Sequence, residues 1–146
     1  MAKEYLDKSG LAYFWEKIKD YVDAHSSAGV TTVTEQGTSG IWTYRKWSDG
    51  TAECWGISAL RTVSSWSQWG GIYYGNPYNV YDTYPSGLFT ELPSCQAQIG
   101  QSSGDCYLVK GASGDATKTC AFYPARGTSG GSFSYTVAYY AVGKWR

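Results

Sequence analysis

The amino-acid sequence predicts a mainly β protein: an antiparallel β-sandwich knob preceded by a short N-terminal α-helix. Apolar residues near the N-terminus recur at helical spacing. After a segment rich in Gly, Ser and Thr, the rest of the chain consists of short β-forming runs crowded with Trp and Tyr. This change of period predicts three parts: a helical stem at 1–28, a connector or edge strand at 29–40, and a β-domain at 41–146.

The N-terminal pattern predicts an amphipathic helix over residues 5–25, which Asp7 or Ser9 can cap. Its apolar residues share one face and are the predicted oligomerisation residues: Leu11, Phe14, Trp15, Ile18, Tyr21 and Val22. A lone helix of two heptads is marginal in water, so this face has to pack against something. Copies of the same helix in a short coiled coil satisfy it, and docking on the chain's own β-domain is the alternative.

Residues 30–40 have no helical period and form a connector or a first edge strand. The runs 41–47 and 51–56 then flank Ser48-Asp49-Gly50 and predict a β-hairpin, because an Asp-Gly turn tolerates positive φ. The Trp residues of this hairpin are expected in the core: Trp42, Trp47 and Trp55. Its charged residues are expected in cross-strand pairs on the solvent face: Arg45, Lys46 and Glu53.

The remaining strands are predicted between turn signals at 71–74, 88–92, 95–99, 106–110, 117–123 and 132–142. In the last run, alternate residues belong to one face: Phe133, Tyr135, Val137 and Tyr139. Seven or eight short strands without helical runs between them favour an antiparallel sandwich over a parallel sheet. A closed barrel is the alternative.

The composition agrees with this fold and excludes several classes of partner. The 146 residues include 7 Trp, 14 Tyr and 4 Phe, whose rings pack well on a pleated surface, and 18 Gly for turns. The 12 basic and 12 acidic residues balance, so no strong field attracts nucleic acid or an anionic membrane. No run approaches the about 20 apolar residues of a membrane span, and no signal peptide is recognisable. We expect cytoplasmic synthesis and no membrane insertion.

The cysteines do not indicate a metal site. Cys54, Cys95, Cys106 and Cys120 are widely separated and form no Cys-x-x-Cys pair. A reducing cytoplasm favours free, mostly buried thiols over disulfides. The only histidine, His25, lies outside the β-region, so zinc is not expected. We expect neither a metal nor a cofactor.

Several segments resemble structural fibre proteins of phages and prophages of Firmicutes and other gut bacteria. The arm at 5–19 resembles segments of these proteins, and the hairpin at 42–56 is similar to the opening of their C-terminal domain. The segment at 84–89 and the ending at 141–146 fit as well. The resemblance implies a virion protein, the homotrimeric end of a tail or head fibre. A coiled-coil stem would lead into a lectin-like tip that binds a bacterial cell-surface glycan or another host receptor.

The segment 64–84 is the predicted binding site, because it is dense in Trp, Tyr, Asn, Ser and Gly. Flat rings stack on the apolar face of a sugar, while amides and carboxylates bind its hydroxyls. The residues singled out are Trp66, Trp69, Tyr78, Tyr81, Asp82 and Tyr84. The alternative is that these rings belong to the core or to a subunit interface.

Catalysis is not expected. A Ser or Cys nucleophile needs a nearby base, and His25 lies across the connector. A glycosidase needs two carboxylates, and the least implausible pair is Glu53 with Asp82 or Glu91, because Asp49, Asp105 and Asp115 are typical turn residues. Three functions are consistent with the sequence: a receptor-binding fibre tip, a structural head-fibre, decoration or assembly knob without glycan affinity, and, least favoured, a polysaccharide depolymerase.

Overall fold

The protein is described from a computed structural model that covers residues 8–26, 31–77 and 80–146, with the side chains of the helix described over 12–22. The chain divides into two compact units, Met1–Thr32 and Val33–Arg146. The first contains the helix α1 (Lys8–Ser26). The described part of the second contains ten strands: β1 (Val33–Ser39), β2 (Trp42–Trp47), β3 (Thr51–Ile57), β4 (Arg61–Val63), β5 (Ser65–Trp69), β6 (Ile72–Asn76), β7 (Ser94–Ser102), β8 (Tyr107–Lys110), β9 (Phe122–Arg126) and β10 (Phe133–Lys144).

The strands form two antiparallel sheets with a shared core. The larger sheet has the order β1-β2-β3-β10, with β4 and β7 also paired to β10, and the smaller has the order β5-β6-β9-β8. Rings from both sheets meet in the core: Phe122 lies 5.9 Å from Tyr139, and Trp66 lies 5.8 Å from Phe133, between ring centroids. The predicted fold class, a mainly β antiparallel sandwich after one short N-terminal helix, is confirmed.

The helix α1 covers most of the predicted helical segment. Residues 5–7, among them the candidate cap Asp7, lie outside the described residues, and Ser9, the other candidate, lies within the helical backbone. On the helix surface, Lys17 Nζ lies 5.6 Å from the centre of the Tyr13 ring. Tyr13 is away from the middle of the apolar face, because five residues at 3.6 per turn place it about 140° around the helix from Ile18.

The predicted hairpin is β2–β3, and its turn has the chemistry that the sequence indicated. Gly50 has φ of 86°, and Asp49 Oδ1 accepts a hydrogen bond from the Thr51 amide at 2.8 Å. Arg45 and Glu53 are register partners and form an ion pair at 3.8 Å, as predicted. Lys46 pairs instead with Glu35 of β1 at 2.9 Å, so the segment before the hairpin supplies an edge strand.

Of the three hairpin Trp residues, one occupies the core. Trp42 is buried between the Tyr84 and Tyr139 rings, with centroid distances of 5.3 and 5.5 Å. Trp47 and Trp55 are half-buried, so their predicted core positions were wrong. Their strand positions explain this result, because both lie an odd number of residues from Trp42 on the face pointing away from the core.

The last strand confirms the predicted alternation. Phe133, Tyr135, Val137 and Tyr139 are all buried. The strand pairs with β3 over its second half and with β4 over its first three residues, while β7 occupies its other edge. A bulge shifts the β7 register after Thr136, whose hydroxyl accepts a hydrogen bond from the Gln101 amide at 2.9 Å. β10 therefore lies in the middle of the large sheet.

Two predicted strands differ from the structure. Residues 88–92 form no strand, although Leu88 and Phe89 are buried: Leu88 closes a turn with Pro85, and the Thr90 amide donates to the Lys144 carbonyl at 2.8 Å. The predicted strand 117–123 begins only at Phe122, because a turn around Asp115 shapes the residues before it. The strands β4 and β5 were not predicted. β4 has only three residues, too few to show alternation, and the two Trp residues of β5 are three residues apart, which does not fit a strand period.

The Gly56→Ala variant should lose stability because β3 approaches β2 closely at this position. A Cβ added to Gly56 would overlap the backbone carbonyl of Ile41, which cannot move without breaking the hairpin ladder. We expect a loss of about 3 kcal/mol or more in the free energy of unfolding, measured by urea denaturation. The matched control is Gly71→Ala, where no heavy atom lies within 4 Å and a change within about 0.5 kcal/mol is expected. Equal midpoints for the two variants would contradict the close approach.

Burial of the Cys54 thiol should be measurable as a pH dependence of stability. All four cysteines are free thiols, and burial raises the pKa of Cys54 to about 12. In the unfolded chain a thiol ionises near about 8.5. The unfolded state therefore loses its proton first, and Cys54 lowers stability as pH rises from about 8.5 towards 12.

We expect Cys54→Ala to make the alkaline decline in unfolding free energy shallower, by up to about 1.4 kcal/mol per pH unit between pH 9 and 10. Cys106→Ala, which removes a half-buried thiol, should change the slope less. Identical slopes for the parent and Cys54→Ala would show that the Cys54 thiol ionises as it does in the unfolded chain.

Candidate functional site

The predicted binding segment begins as the β5–β6 hairpin and separates its two Trp residues. Trp69 lies at the hairpin tip, is 80% exposed and pairs in register with Ile72. Trp66 is three residues earlier and therefore points to the other face of the strand. There its ring is half-buried, with the Arg126 guanidinium 4.1 Å from the ring centre. Of the two Trp rings, only that of Trp69 is largely exposed.

The second half of the predicted segment contributes more to the core than to a surface. Tyr84 is 4% exposed and packs against Trp42 and Phe89, so its predicted role as a ligand contact is corrected to a core role. Tyr81 is half-buried, and Lys118 Nζ lies 4.6 Å from its ring centre. Tyr78 lies outside the described residues. The described members of the predicted site therefore do not converge on one surface.

Asp82 belongs to a partly buried polar cluster. Its carboxylate forms a short ion pair with Arg61 of β4, and the same guanidinium nitrogen donates to the Tyr139 hydroxyl at 3.2 Å. Burial raises the pKa of Tyr139 and keeps this hydroxyl protonated. The Asp82 amide also donates to Thr119 Oγ1 at 3.1 Å. These contacts fasten the irregular segment after β6 to the large sheet.

The carboxylates considered for glycosidase chemistry do not form a pair. Glu53 accepts a hydrogen bond from the Tyr140 hydroxyl at 2.7 Å, whereas Asp82 lies in the cluster that contains Tyr139. Consecutive residues of a strand point to opposite faces, so Glu53 and Asp82 lie on opposite sides of the large sheet. Glu91 is exposed in the irregular segment before β7. No glycosidic bond can lie between Glu53 and Asp82.

A group of side chains on the outer face of the large sheet was missed by the sequence analysis. Tyr140, Glu53, Arg45 and Trp55 form a chain of contacts there: Tyr140 donates to Glu53, Glu53 pairs with Arg45, and the Arg45 guanidinium lies 5.1 Å from the Trp55 ring centre. The alternation of side chains along a strand predicts that Trp55 shares a face with Glu53, two residues away. Because Glu53 is predicted to face solvent, Trp55 could have been placed on the outer face from the sequence. Tyr140 joins only through the pairing of β10 with β3.

The helix α1, described by itself, presents the predicted oligomerisation residues at its surface. Phe14, Trp15, Tyr21 and Val22 are at least half exposed and Ile18 is 36% exposed, whereas the side chain of Leu11 lies outside the described residues. Their three- and four-residue spacing places them on one face of the helix. An isolated 19-residue helix with such a face gains stability by burying it.

No protein-family model, curated protein or solved structure matches the chain. Within 8–26, 31–77 and 80–146, no helix combines the length and apolar character needed to cross a bilayer. In the same residues, no group of three or more His, Cys, Asp or Glu side chains could hold a metal ion.

Removing the Asp82 carboxylate should destabilise the β-unit. The Asp82→Ala variant leaves the partly buried Arg61 guanidinium without its carboxylate partner, and we expect a loss of about 2 kcal/mol in unfolding free energy. The control is Glu91→Ala, which removes an exposed carboxylate and should change stability by less than about 0.5 kcal/mol. Thermal and urea unfolding measure both. A loss no larger for Asp82→Ala than for Glu91→Ala would show that the ion pair does not fasten this segment.

Proposed function

We propose that this chain is a non-catalytic phage fibre-tip protein that binds a glycan receptor on the host cell surface as a homotrimer. The observation that carries the proposal is the exposed apolar face of α1, which belongs to a unit separate from an aromatic β-sandwich. A self-associating stem and a display domain are the two parts that a fibre end requires. The resemblance of 5–19 and 42–56 to phage and prophage fibre proteins supports the same function.

Self-association is the simplest way to cover this helical face. Ile18 lies seven residues after Leu11, and Tyr21 lies seven residues after Phe14, which is the repeat of a short coiled coil. Each large apolar side chain that is buried between helices stabilises their association by roughly 1.5–3 kcal/mol. This exceeds the stability that a helix of this length has on its own in water. That the assembly is a trimer, and not a dimer or tetramer, is inferred from the resemblance to fibre proteins.

Receptor binding is supported by the surface of the β-unit. Exposed aromatic side chains lie on its strands, Tyr140 of β10 among them. Rings on a rigid sheet lose little conformational entropy when they stack on a sugar. Single-site affinity for a sugar is low, and three linked sites increase the overall affinity by 10²–10⁴ through effective concentration. Trimerisation by the stem and glycan binding by the tip therefore support each other.

The variant Ile18→Lys tests the stem. A Lys in the middle of the apolar face would be buried unpaired in a coiled coil, so we expect the trimer to dissociate at micromolar concentration in sedimentation and light scattering. The matched control is Tyr13→Lys, which introduces the same charge on the side of α1 away from that face and should leave the trimer intact. A parent chain that is monomeric at these concentrations would overturn the stem.

Binding of the parent chain to a panel of bacterial cell walls and glycans tests the tip. We expect saturable binding by the trimer, and a 10²-fold or greater loss of apparent affinity for Ile18→Lys because avidity is lost. A trimer with no saturable binding would favour the structural alternative, a head-fibre, decoration or assembly knob. Release of sugar from a cell-surface polysaccharide would favour the depolymerase and overturn the non-catalytic assignment.

A further inference from the structure

The outer face of the large sheet brings together aromatic and polar side chains from three strands. The register pairs Tyr140 of β10 with Trp55 of β3 on one edge and with Gln96 of β7 on the other. Two residues earlier, Ala138 pairs with Ile57 and with Gln98 in the same way. Residues directly opposite each other in an antiparallel sheet share a face. These residues therefore form two adjacent rows, on the face opposite Tyr139 and the core.

A depression lies between these rows. It has a volume of about 240 Å³ and is lined by Gln96, Ala97, Gln98, Ala138, Tyr139 and Tyr140. Ala138 is the small residue of its row, between Ile57 and Gln98, so the surface is lowest there. Tyr140 is 41% exposed beside it. The depression can accept one flat ring against Tyr140, but it is too open to enclose a ligand.

The aromatic side of the depression is held in place before any ligand arrives. The Tyr140 hydroxyl donates to Glu53 at 2.7 Å, and Arg45 holds Glu53 from the other side at 3.8 Å. The hydrogen bond to Glu53 also raises the pKa of Tyr140, which keeps the phenol protonated and donating. A side chain that is already fixed loses less entropy on binding. Tyr140 is therefore a preorganised stacking surface.

The opposite side of the depression offers unused hydrogen-bonding groups. Gln96 and Gln98 are exposed, and their side-chain amides make no hydrogen bond to other described residues. Each amide supplies both donors and an acceptor, which is the combination that a sugar hydroxyl needs. Beside Tyr140, Arg45 and Glu53 form an ion pair whose opposite charges offset each other. A ligand of this face needs an apolar ring face, several hydroxyls and no net charge.

We propose that the outer face of β3, β10 and β7 is the glycan-binding site and that it takes an uncharged pyranose ring of the host-surface glycan. The inference rests on the proposed function and adds its location and ligand class. The sugar ring stacks on Tyr140 above Ala138, and its hydroxyls bind Gln96 and Gln98. The hairpin tip is a poorer candidate, because Trp69 has an apolar neighbour in Ile72 and the Gln68 amide already donates to the Gly70 carbonyl at 3.0 Å.

The test compares the parent chain with variants on an array of uncharged hexose and N-acetylhexosamine oligosaccharides, printed beside uronic-acid and sulfated ones. The site variants are Tyr140→Ala and the double variant Gln96→Ala/Gln98→Ala, and the controls are Trp69→Ala and Tyr107→Ala, which remove exposed rings from the smaller sheet. We expect the parent to bind uncharged oligosaccharides and both site variants to lose tenfold or more in affinity. The controls should bind as the parent does.

The double variant keeps the test independent of folding, because both Gln side chains are exposed. Affinity retained by the site variants but lost in Trp69→Ala, or binding confined to charged glycans, would overturn the site and leave the proposed function standing. Site variants that dissociate the oligomer would show that this face is a subunit interface, which also overturns the site. A parent trimer that binds neither the array nor cell walls would overturn the proposed receptor binding, and the site with it.

Discussion

The large sheet depends on the pairing of β10 along both of its edges. β3 and β7 belong to the same sheet only because each pairs with β10, and β4 pairs with the first residues of the same strand. One side of β10 supplies Tyr135, Val137 and Tyr139 to the core, and the other supplies Ala138 and Tyr140 to the outer face. A single strand thus determines both the packing of the sandwich and the surface on which the proposed ligand would lie.

The parts of the fold that the sequence predicts are those with local signals. The β2–β3 hairpin follows from an Asp-Gly turn, and β10 follows from alternation over many residues. Residues 88–92 show where local signals fail. Their apolar run predicts a strand, but Leu88 and Phe89 are buried in the core from an irregular segment that begins with a turn. Burial needs apolar side chains, while a strand also needs a partner ladder, and a single sequence does not reveal that partner.

The candidate site was less predictable for the same reason. Aromatic density in 64–84 suggested a surface, yet the structure uses Tyr84 for the core and covers Trp66 with Arg126. The outer-face residues are distant in sequence and meet only through the register of β10 with β3 and β7. A slip of one residue would move every side chain to the opposite face, so such a site is visible only once the register is known.

The position of β10 also bears on how the chain is made. Synthesis proceeds from the N-terminus, so the strand in the middle of the large sheet is the last of the described strands to leave the ribosome. Until then β3 and β7 have no shared neighbour, and the hairpins made earlier can form only local structure. A chain interrupted before residue 133 lacks the whole centre of the sheet. Incomplete translation products of this kind could not form the large sheet, and their strands would be open to proteolysis.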